Sequence, residues 1–522
     1  MPHSSRLFAG LFAAVVVATA GCTLPVVAPT GSGTPAPTPG ASGAATVPGT
    51  QAAWRPCPEV PRRLVGRGAS GMTYDCAAVA VPRNWAAPVA GQTYDVQLLR
   101  IRSQTQHDRI GSLLVNPGGP GVSGIDTAVY LSFGQALGGL PTAITDRFDI
   151  VGFDPRGVGR SDPIRCISAA DKDKMNAADP DPTSQAVFDE VVALNQRVAD
   201  GCGRKYGDQL SLFSTEQAAR DMEAIRAAVG DAKTTYLGYS YGTLLGATYA
   251  QLYPKSIRAL VLDGAVDPKE DAVSASETQA KGFERAFGNF TAWCKATPRR
   301  CAIAPDARGA VTDALAKAEN SPVRGEDGRE ATPGWIFAAV VASLYVESSW
   351  QRLAQAIDDL PTGRAKGVFD LADAFVEREP DGTYSNQADV FLTVTCVDAK
   401  DAPSVDRIRQ LQSQWRAKYP LFGGPLAMTL LPCAFWPGHK DPYPTGPAAG
   451  APPIVVVGTT GDPATPYENT ADLATMLGTG HVLTWEGEGH TAYPSTRCIA
   501  NAVDAYLIDL RVPAEGQRCP AR

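Results

Sequence analysis

A chain of 522 residues, 44% hydrophobic and 19% charged, has an ordinary globular composition, and 51 glycines with 42 prolines stay below the roughly 25–30% share that marks disorder. Its 47 basic and 54 acidic residues leave a formal charge of −7 with no long charged blocks, so the basic footprint of a nucleic-acid binder is missing and no such partner is expected. The length suits about three domain-sized units or one large α/β unit with an insertion.

The chain opens with a short polar stretch containing Arg6 and then runs through 14 apolar residues, Leu7 to Ala20, into Gly21-Cys22. That run is too short to span a bilayer and has the size of a signal-peptide core, so residues 1–21 are expected to be a signal peptide. Thr19-Ala20-Gly21-Cys22 resembles a bacterial lipoprotein cleavage box, in which Cys22 receives a diacylglyceryl group and becomes the new N-terminus. Thr19 stands where an aliphatic residue is usual, and an ordinary secretory signal is the alternative. Residues 22–53 are rich in Pro, Gly, Ala, Ser and Thr and nearly uncharged. Such a stretch cannot bury enough apolar surface to offset its ordering entropy, so it is expected to be a tether. The expected location is therefore outside the cytoplasm, anchored to the bacterial cell membrane through Cys22.

Of 11 cysteines, setting Cys22 aside leaves an even ten. In an exported protein an even set reads as a disulfide framework, and no CxxC or Cys/His cluster at zinc spacing offers a metal site. The simplest scheme pairs sequence neighbours: Cys57 with Cys76, Cys166 with Cys202, Cys294 with Cys301, Cys396 with Cys433 and Cys498 with Cys519.

From residue 111 onward short apolar strands alternate with helical patterns. Strands are expected at Ser112–Val115, Phe148–Phe153, Thr234–Leu237, Ile257–Leu262, Ile454–Val457 and Val482–Trp485. Ser214 and Gln217 have capping-box spacing ahead of a stripe of Ala218, Met222, Ile225 and Val229. A second helix is expected from Gly242 to Tyr253. This alternation predicts an α/β fold with a mostly parallel central sheet. Between about 271 and 430 the pattern turns helical alone, with Phe283, Phe287, Phe290 and Trp293 as a packing stripe and a long helical region from Trp335 to Leu360. Such an insertion between late strands makes a helical lid over the sheet edge where open α/β sheets bind ligands.

Gly238-Tyr239-Ser240-Tyr241-Gly242 fits G-x-S-x-G, with the strand before it and the helix after it that the motif requires. A serine hydroxyl needs a base. Of five histidines, His490 follows the last apolar strand, where the order serine, acid, histidine requires it. The acid is expected at Asp462, in the loop after Ile454–Val457, with Asp263 and Asp267 as alternative positions. The oxyanion donors are expected to be the backbone N–H groups of Tyr241 and of Gly119, because Pro117 and Pro120 carry none. Gly119-x-Gly121-x-x-Gly124 also formally fits a dinucleotide fingerprint. Pro120 and the lack of a clear helix opening at Gly124 speak against a Rossmann oxidoreductase, and the intact set of three residue types speaks against a non-catalytic binding protein. No metal or organic cofactor is expected.

Asn116-Pro117-Gly118-Gly119-Pro120-Gly121, Asp154-Pro155-Arg156-Gly157-Val158-Gly159-Arg160-Ser161, Gly238 to Thr243, Asp462-Pro463-Ala464-Thr465-Pro466 and Gly489-His490-Thr491 together resemble the secreted tripeptidyl aminopeptidases of actinomycetes. These are α/β-hydrolases related to proline iminopeptidases, and the similarity spans roughly residues 54 to 520. It implies a serine exopeptidase acting on free N-termini, with carboxylesterase or endopeptidase activity on a small ester or peptide as alternatives. Proline iminopeptidases carry histidine where this chain has Pro117, so single-proline removal is not implied. Thr395-Cys396-Val397-Asp398 resembles a family segment and makes Asp398 the candidate to bind a substrate ammonium, with Glu277 and Glu284 in reserve. The expected organisation is signal peptide 1–21, lipid-anchored tether 22–53, hydrolase core 54–270, helical lid 271–430 and the C-terminal part of the core 431–522.

Overall fold

The computed structural model describes residues 51–521, so the expected signal peptide, Cys22 and nearly all of the tether lie outside the described residues. The described residues contain twelve strands: β1 (Arg55–Pro56), β2 (Met72–Pro82), β3 (Thr93–Ser103), β4 (Gly111–Asn116), β5 (Phe148–Phe153), β6 (Thr234–Tyr239), β7 (Ile257–Asp263), β8 (Val323–Arg324), β9 (Glu330–Ala331), β10 (Ile454–Gly461), β11 (Gly480–Glu488) and β12 (Gln517–Pro520). Ten form one sheet in the order β1-β2-β3-β5-β4-β6-β7-β10-β11-β12, and β8 with β9 makes a separate small hairpin. β3 runs antiparallel to β2 and β5, while every neighbouring pair from β5 to β12 is parallel.

The apolar runs are continuous because both faces of the sheet are covered. In β10, Ile454 and Val456 pack with Leu473 and Leu477 in one core layer, while Val455 and Val457 pack with Tyr506 and Leu507 in the other. Alternate residues of a strand point to opposite faces, so a doubly covered strand must be apolar throughout. Each such side chain contributes about 1.5–3 kcal/mol when fully buried.

The chain leaves β4 for β5 on one side and then crosses to β6 on the other, which opens a crevice between the C-terminal ends of β4 and β6. Asn116 of β4 lies opposite Gly238 of β6, so the loops after these strands are neighbours. One expectation about this region is corrected. A helix does open at Gly124, spanning Gly124–Leu131, because Ser123 caps it by accepting the Asp126 N–H at 3.1 Å. Gly124 is small because its backbone rests on β5, where an added Cβ would meet Phe153 O at 2.1 Å.

Between β7 and β10 the chain is mostly helical, including Ala272–Ala296, Pro333–Leu344, Trp350–Asp359, Lys366–Phe375, Gln387–Asp398 and Val405–Lys418. Phe283, Phe287 and Phe290 are fully buried in one cluster with Trp335, Trp350 and Phe422, so the aromatic stripe is a packing face. The helical region expected from Trp335 to Leu360 consists of two helices, separated at Tyr345–Ser349. At the break Val346 bridges to Gly489 and Tyr345 O accepts the His490 N–H at 2.8 Å, and these contacts replace helical bonds. All five neighbour pairs of cysteines are disulfide-bonded.

Candidate active site

Ser240 sits between β6 and the helix Tyr241–Leu252 with φ 55° and ψ −125°, a conformation that strains a residue with a side chain by about 1–3 kcal/mol. The turn closes only with glycine on either side, since a Cβ on Gly238 would lie 2.4 Å from Gly242 O, and one on Gly242 would lie 2.8 Å from Asn116 O. Ser240 is buried, and its hydroxyl has no hydrogen-bond partner among the described residues.

Gly118 is stacked on this turn, where an added Cβ would come within 3.0 Å of Ser240 Cβ and of Tyr241 N. Its own N–H donates to Asn116 Oδ1 at 3.0 Å, which leaves the Gly119 N–H as the candidate donor of the two glycines. The far end of this loop is held by Asp154, which accepts from Ser123 Oγ at 2.5 Å and Ile125 N at 3.2 Å. Arg156, two residues on, is buried against Asp221 at 2.6 Å and donates to the carbonyls of Pro82, Arg83 and Leu212. The Asp154–Ser161 segment thus braces the site from behind.

His490 follows β11, and its Nδ1 lies 2.9 Å from each oxygen of Asp462, which follows β10. Asp462 also accepts from Ala464 N and Thr465 N at 2.9 Å and from Thr465 Oγ1 at 3.0 Å. A carboxylate with this many donors is fixed in place before any reaction. Thr465 Oγ1 lies 3.3 Å from His490 Nδ1 as well, and sequence reasoning missed it. The spacing Asp-x-x-Thr was the available signal, since short side chains bond their own backbone two and three residues on. Tyr345, also missed, packs edge-on to the His490 ring at 5.1 Å between centroids.

The alternative acids are elsewhere. Asp263 accepts from Ala492 N and Tyr493 N, and Asp267 accepts from Lys269 N; neither bonds the His490 ring. Asp398 is buried behind Tyr241 and bonded to Thr215, through N at 2.9 Å and Oγ1 at 2.6 Å. Thr215 Oγ1 in turn lies 2.6 Å from Tyr241 OH. Burial pushes the Asp398 carboxyl up to about 8, against the pull of the Thr215 bonds and with a further push from the charge of Asp441. Glu277 is bonded by Lys418, and Glu284 by Arg308 and the Leu421 N–H.

A cleft of about 540 Å³ opens beside His490 and Tyr239, with walls that include Leu131, Phe133, Leu371 and Phe375. Its carboxylates are Glu347 and Glu488, whereas Asp398, Glu277 and Glu284 do not line it. Burial raises the Glu488 carboxyl, and the nearby charge of Glu347 raises it further, opposed by the bond from Asn289. Among the described residues no cluster of His, Cys, Asp and Glu has the arrangement of a metal site.

The family model for the alpha/beta hydrolase fold matches residues 111–493. Serine protease Hip1 of Mycobacterium tuberculosis is 37% identical over 489 residues, 89% of this chain and 90% of its own. Carboxylesterase B of the same species is 36% identical over 518 residues, 95% of each chain. A tripeptidyl aminopeptidase of Streptomyces lividans is 30% identical over 451 residues, 85% of this chain and 83% of its own. A strained serine turn at the switch-point crevice, a buried carboxylate on a histidine ring and these similarities converge: the chain belongs to the α/β-hydrolase family, among the relatives of the tripeptidyl aminopeptidases, and is a serine hydrolase.

Proposed function

We propose that this serine hydrolase is an aminopeptidase that releases short peptides from free N-termini through an acyl-enzyme on Ser240. The observation that carries the reading is the Asp462–His490 pair, 2.9 Å apart, on the same edge of the parallel sheet as the Ser240 turn. Ser240 Oγ attacks the scissile carbonyl while His490 Nε2 takes its proton and returns it to the leaving amine. Water then attacks the ester with the same base. Asp462 keeps the Nδ1 proton in place and stabilises the imidazolium, and the Gly119 and Tyr241 N–H groups receive the oxyanion. These steps call on no metal or cofactor.

The charge of the cleft supports a substrate with a free amine. Glu347 and Glu488 face the same space as His490, and an ammonium would relieve their mutual repulsion. Asp398, held on Thr215, is poorly placed for that task, so in this reading the ammonium goes to Glu347 and Glu488. The helices between β7 and β10 act as the lid that supplies Tyr345, Glu347 and Phe375 to the cleft. The apolar walls favour one second reading, a carboxylesterase on the same residues.

The deciding experiment compares tripeptidyl amides with free and acetylated amines and short acyl esters. Acetylation is expected to lower kcat/KM on the order of 10²-fold, because it removes the charge that would pair with the half-buried Glu488 and the exposed Glu347 beside it. Equal cutting of both peptides at internal bonds leaves an endopeptidase; cutting of esters alone leaves the carboxylesterase.

Export and lipid anchoring complete the proposal. Five disulfides suit an oxidising compartment, and a diacylglyceryl group on Cys22 supplies the two chains that stable attachment takes. Among the described residues no helix is long and apolar enough to cross a membrane.

A further inference from the structure

Asp263 ends β7, between β6, which delivers Ser240, and β10, which delivers Asp462. Its main-chain carbonyl accepts the Ser240 N–H at 2.8 Å. Its carboxylate accepts the Ala492 N–H, 3.0 Å from each oxygen, and the Tyr493 N–H at 2.7 Å. Those two donors come just after His490 and after Thr491, whose φ of 68° makes the turn that the carboxylate pins. Asp263 is completely buried. A single residue thus bonds the backbone of the nucleophile turn with one group and the backbone of the histidine loop with another. Gly264 extends the contact: an added Cβ there would meet His490 Cε1 at 3.2 Å and Thr465 Oγ1 at 3.0 Å.

Burying a carboxylate costs free energy that packing alone does not return, so its persistence here calls for a function beyond filling space. Burial raises the Asp263 carboxyl to about 7, while the Tyr493 and Ala492 N–H bonds and His490 pull it down and the charge of Asp462 pushes it up. The titratable groups facing it are His490, Asp462 and Tyr239; the Tyr239 hydroxyl is pushed well up by burial and by the Asp263 charge.

We propose that Asp263 is a positioning residue of the hydrolysis: it ties the Ser240 turn to the His490 loop, and its negative charge favours the imidazolium that forms when His490 accepts the serine proton. This rests on the reading of Ser240 and His490 as nucleophile and base. Asp462 holds the ring itself; Asp263 holds the backbone on which the ring is mounted and, above about pH 7, contributes a second negative charge on that side.

The test is the pair Asp263→Ala and Asp263→Asn in the mature protein, with Ser240→Ala assayed beside them. Asp263→Ala removes the strut and is expected to lower kcat about 10²-fold with KM within twofold, since small misplacements of reacting groups cost that much. Asp263→Asn keeps an acceptor for the loop but loses the charge; kcat is expected to fall about tenfold, and the acidic limb of the kcat/KM profile to move to lower pH. A purely structural residue would leave that limb where it is. If Asp263→Ala does not fold, Asp263→Asn decides alone. Wild-type kcat in folded Asp263→Asn, or a loss of kcat with an unmoved limb, overturns the proposal. Retained turnover in Ser240→Ala would instead remove the nucleophile reading beneath it, so the two failures are distinguishable.

Discussion

At the scale of single residues, the site is built from groups held by backbone donors before substrate arrives. Ser240→Ala is expected to abolish hydrolysis and leave the melting curve in place, because alanine fits the same turn; turnover in a pure sample would contradict the nucleophile assignment. Asp462→Asn is expected to lower kcat on the order of 10⁴-fold, as an amide favours the wrong tautomer of His490. The same assay should show a far smaller loss in Asp263→Asn, and the reverse ranking would reassign the acid. Asp398 carries a different prediction. Its carboxyl is raised to about 8, chiefly by burial, so the stability it contributes is full below about pH 4 and is lost as pH rises toward 8. Asp398→Asn removes that titration, and its Tm is expected to fall less than that of the wild type between pH 5 and pH 9. Equal falls in a thermal-shift series would show that the buried carboxyl does not set the slope.

At the scale of elements, the helices between β7 and β10 have a core of their own. Phe283 stacks on Phe422 at 5.3 Å and Phe290 meets Trp350 edge-on at 5.9 Å, so one long helix is bound to several others by its aromatic face. Phe287, fully buried between Phe290 and Phe422, is the centre of that face. Phe287→Ala is expected to cost about 3–5 kcal/mol of stability in a denaturant titration, through lost transfer energy and the cavity left behind. A loss below about 1 kcal/mol would show that the site collapses freely. Activity should fall with it, since these helices deliver the Tyr345 carbonyl to the His490 N–H. The long hairpin of β2 and β3 escaped the sequence reading for a physical reason: in Ala77-Ala78-Val79-Ala80-Val81 the exposed positions carry apolar alanines and no polar residue, which hides the alternation with the buried valines.

At the scale of the whole molecule, the disulfides are local staples. Cys498–Cys519 ties the helix Arg497–Asp509 to the edge strand β12, and Cys294–Cys301 fastens the end of Ala272–Ala296 to the following loop. Cross-links over such short loops stabilise by limiting the unfolded chain, typically by about 2–4 kcal/mol each. They suit the oxidising compartment of the proposed export, and for the proposed anchor Cys22→Ala is expected to move the protein from the membrane fraction to the soluble one. A processed alanine variant that stays with membranes in fractionation would refute the anchor.

The features written into the order of residues are local in physical origin. The elbow around Ser240 follows from steric limits within a few residues, the parallel strands from apolar runs, and the disulfide pairs from short separations along the chain. Contacts between distant segments depend instead on how the elements pack. Asp263 and Asp462 both end strands and both precede loops, and nothing in their spacing says which carboxylate meets the His490 ring. The sheet order answers it, by placing β10 beside β11 and turning the Asp263 oxygens toward the Ala492 and Tyr493 backbone. Asp398 is the same lesson in reverse. Its sequence context suggests a cleft residue, but the packing of its helix end against Thr215 buries it behind Tyr241, because side-chain direction is settled by the element a helix packs on and not by the residues beside it.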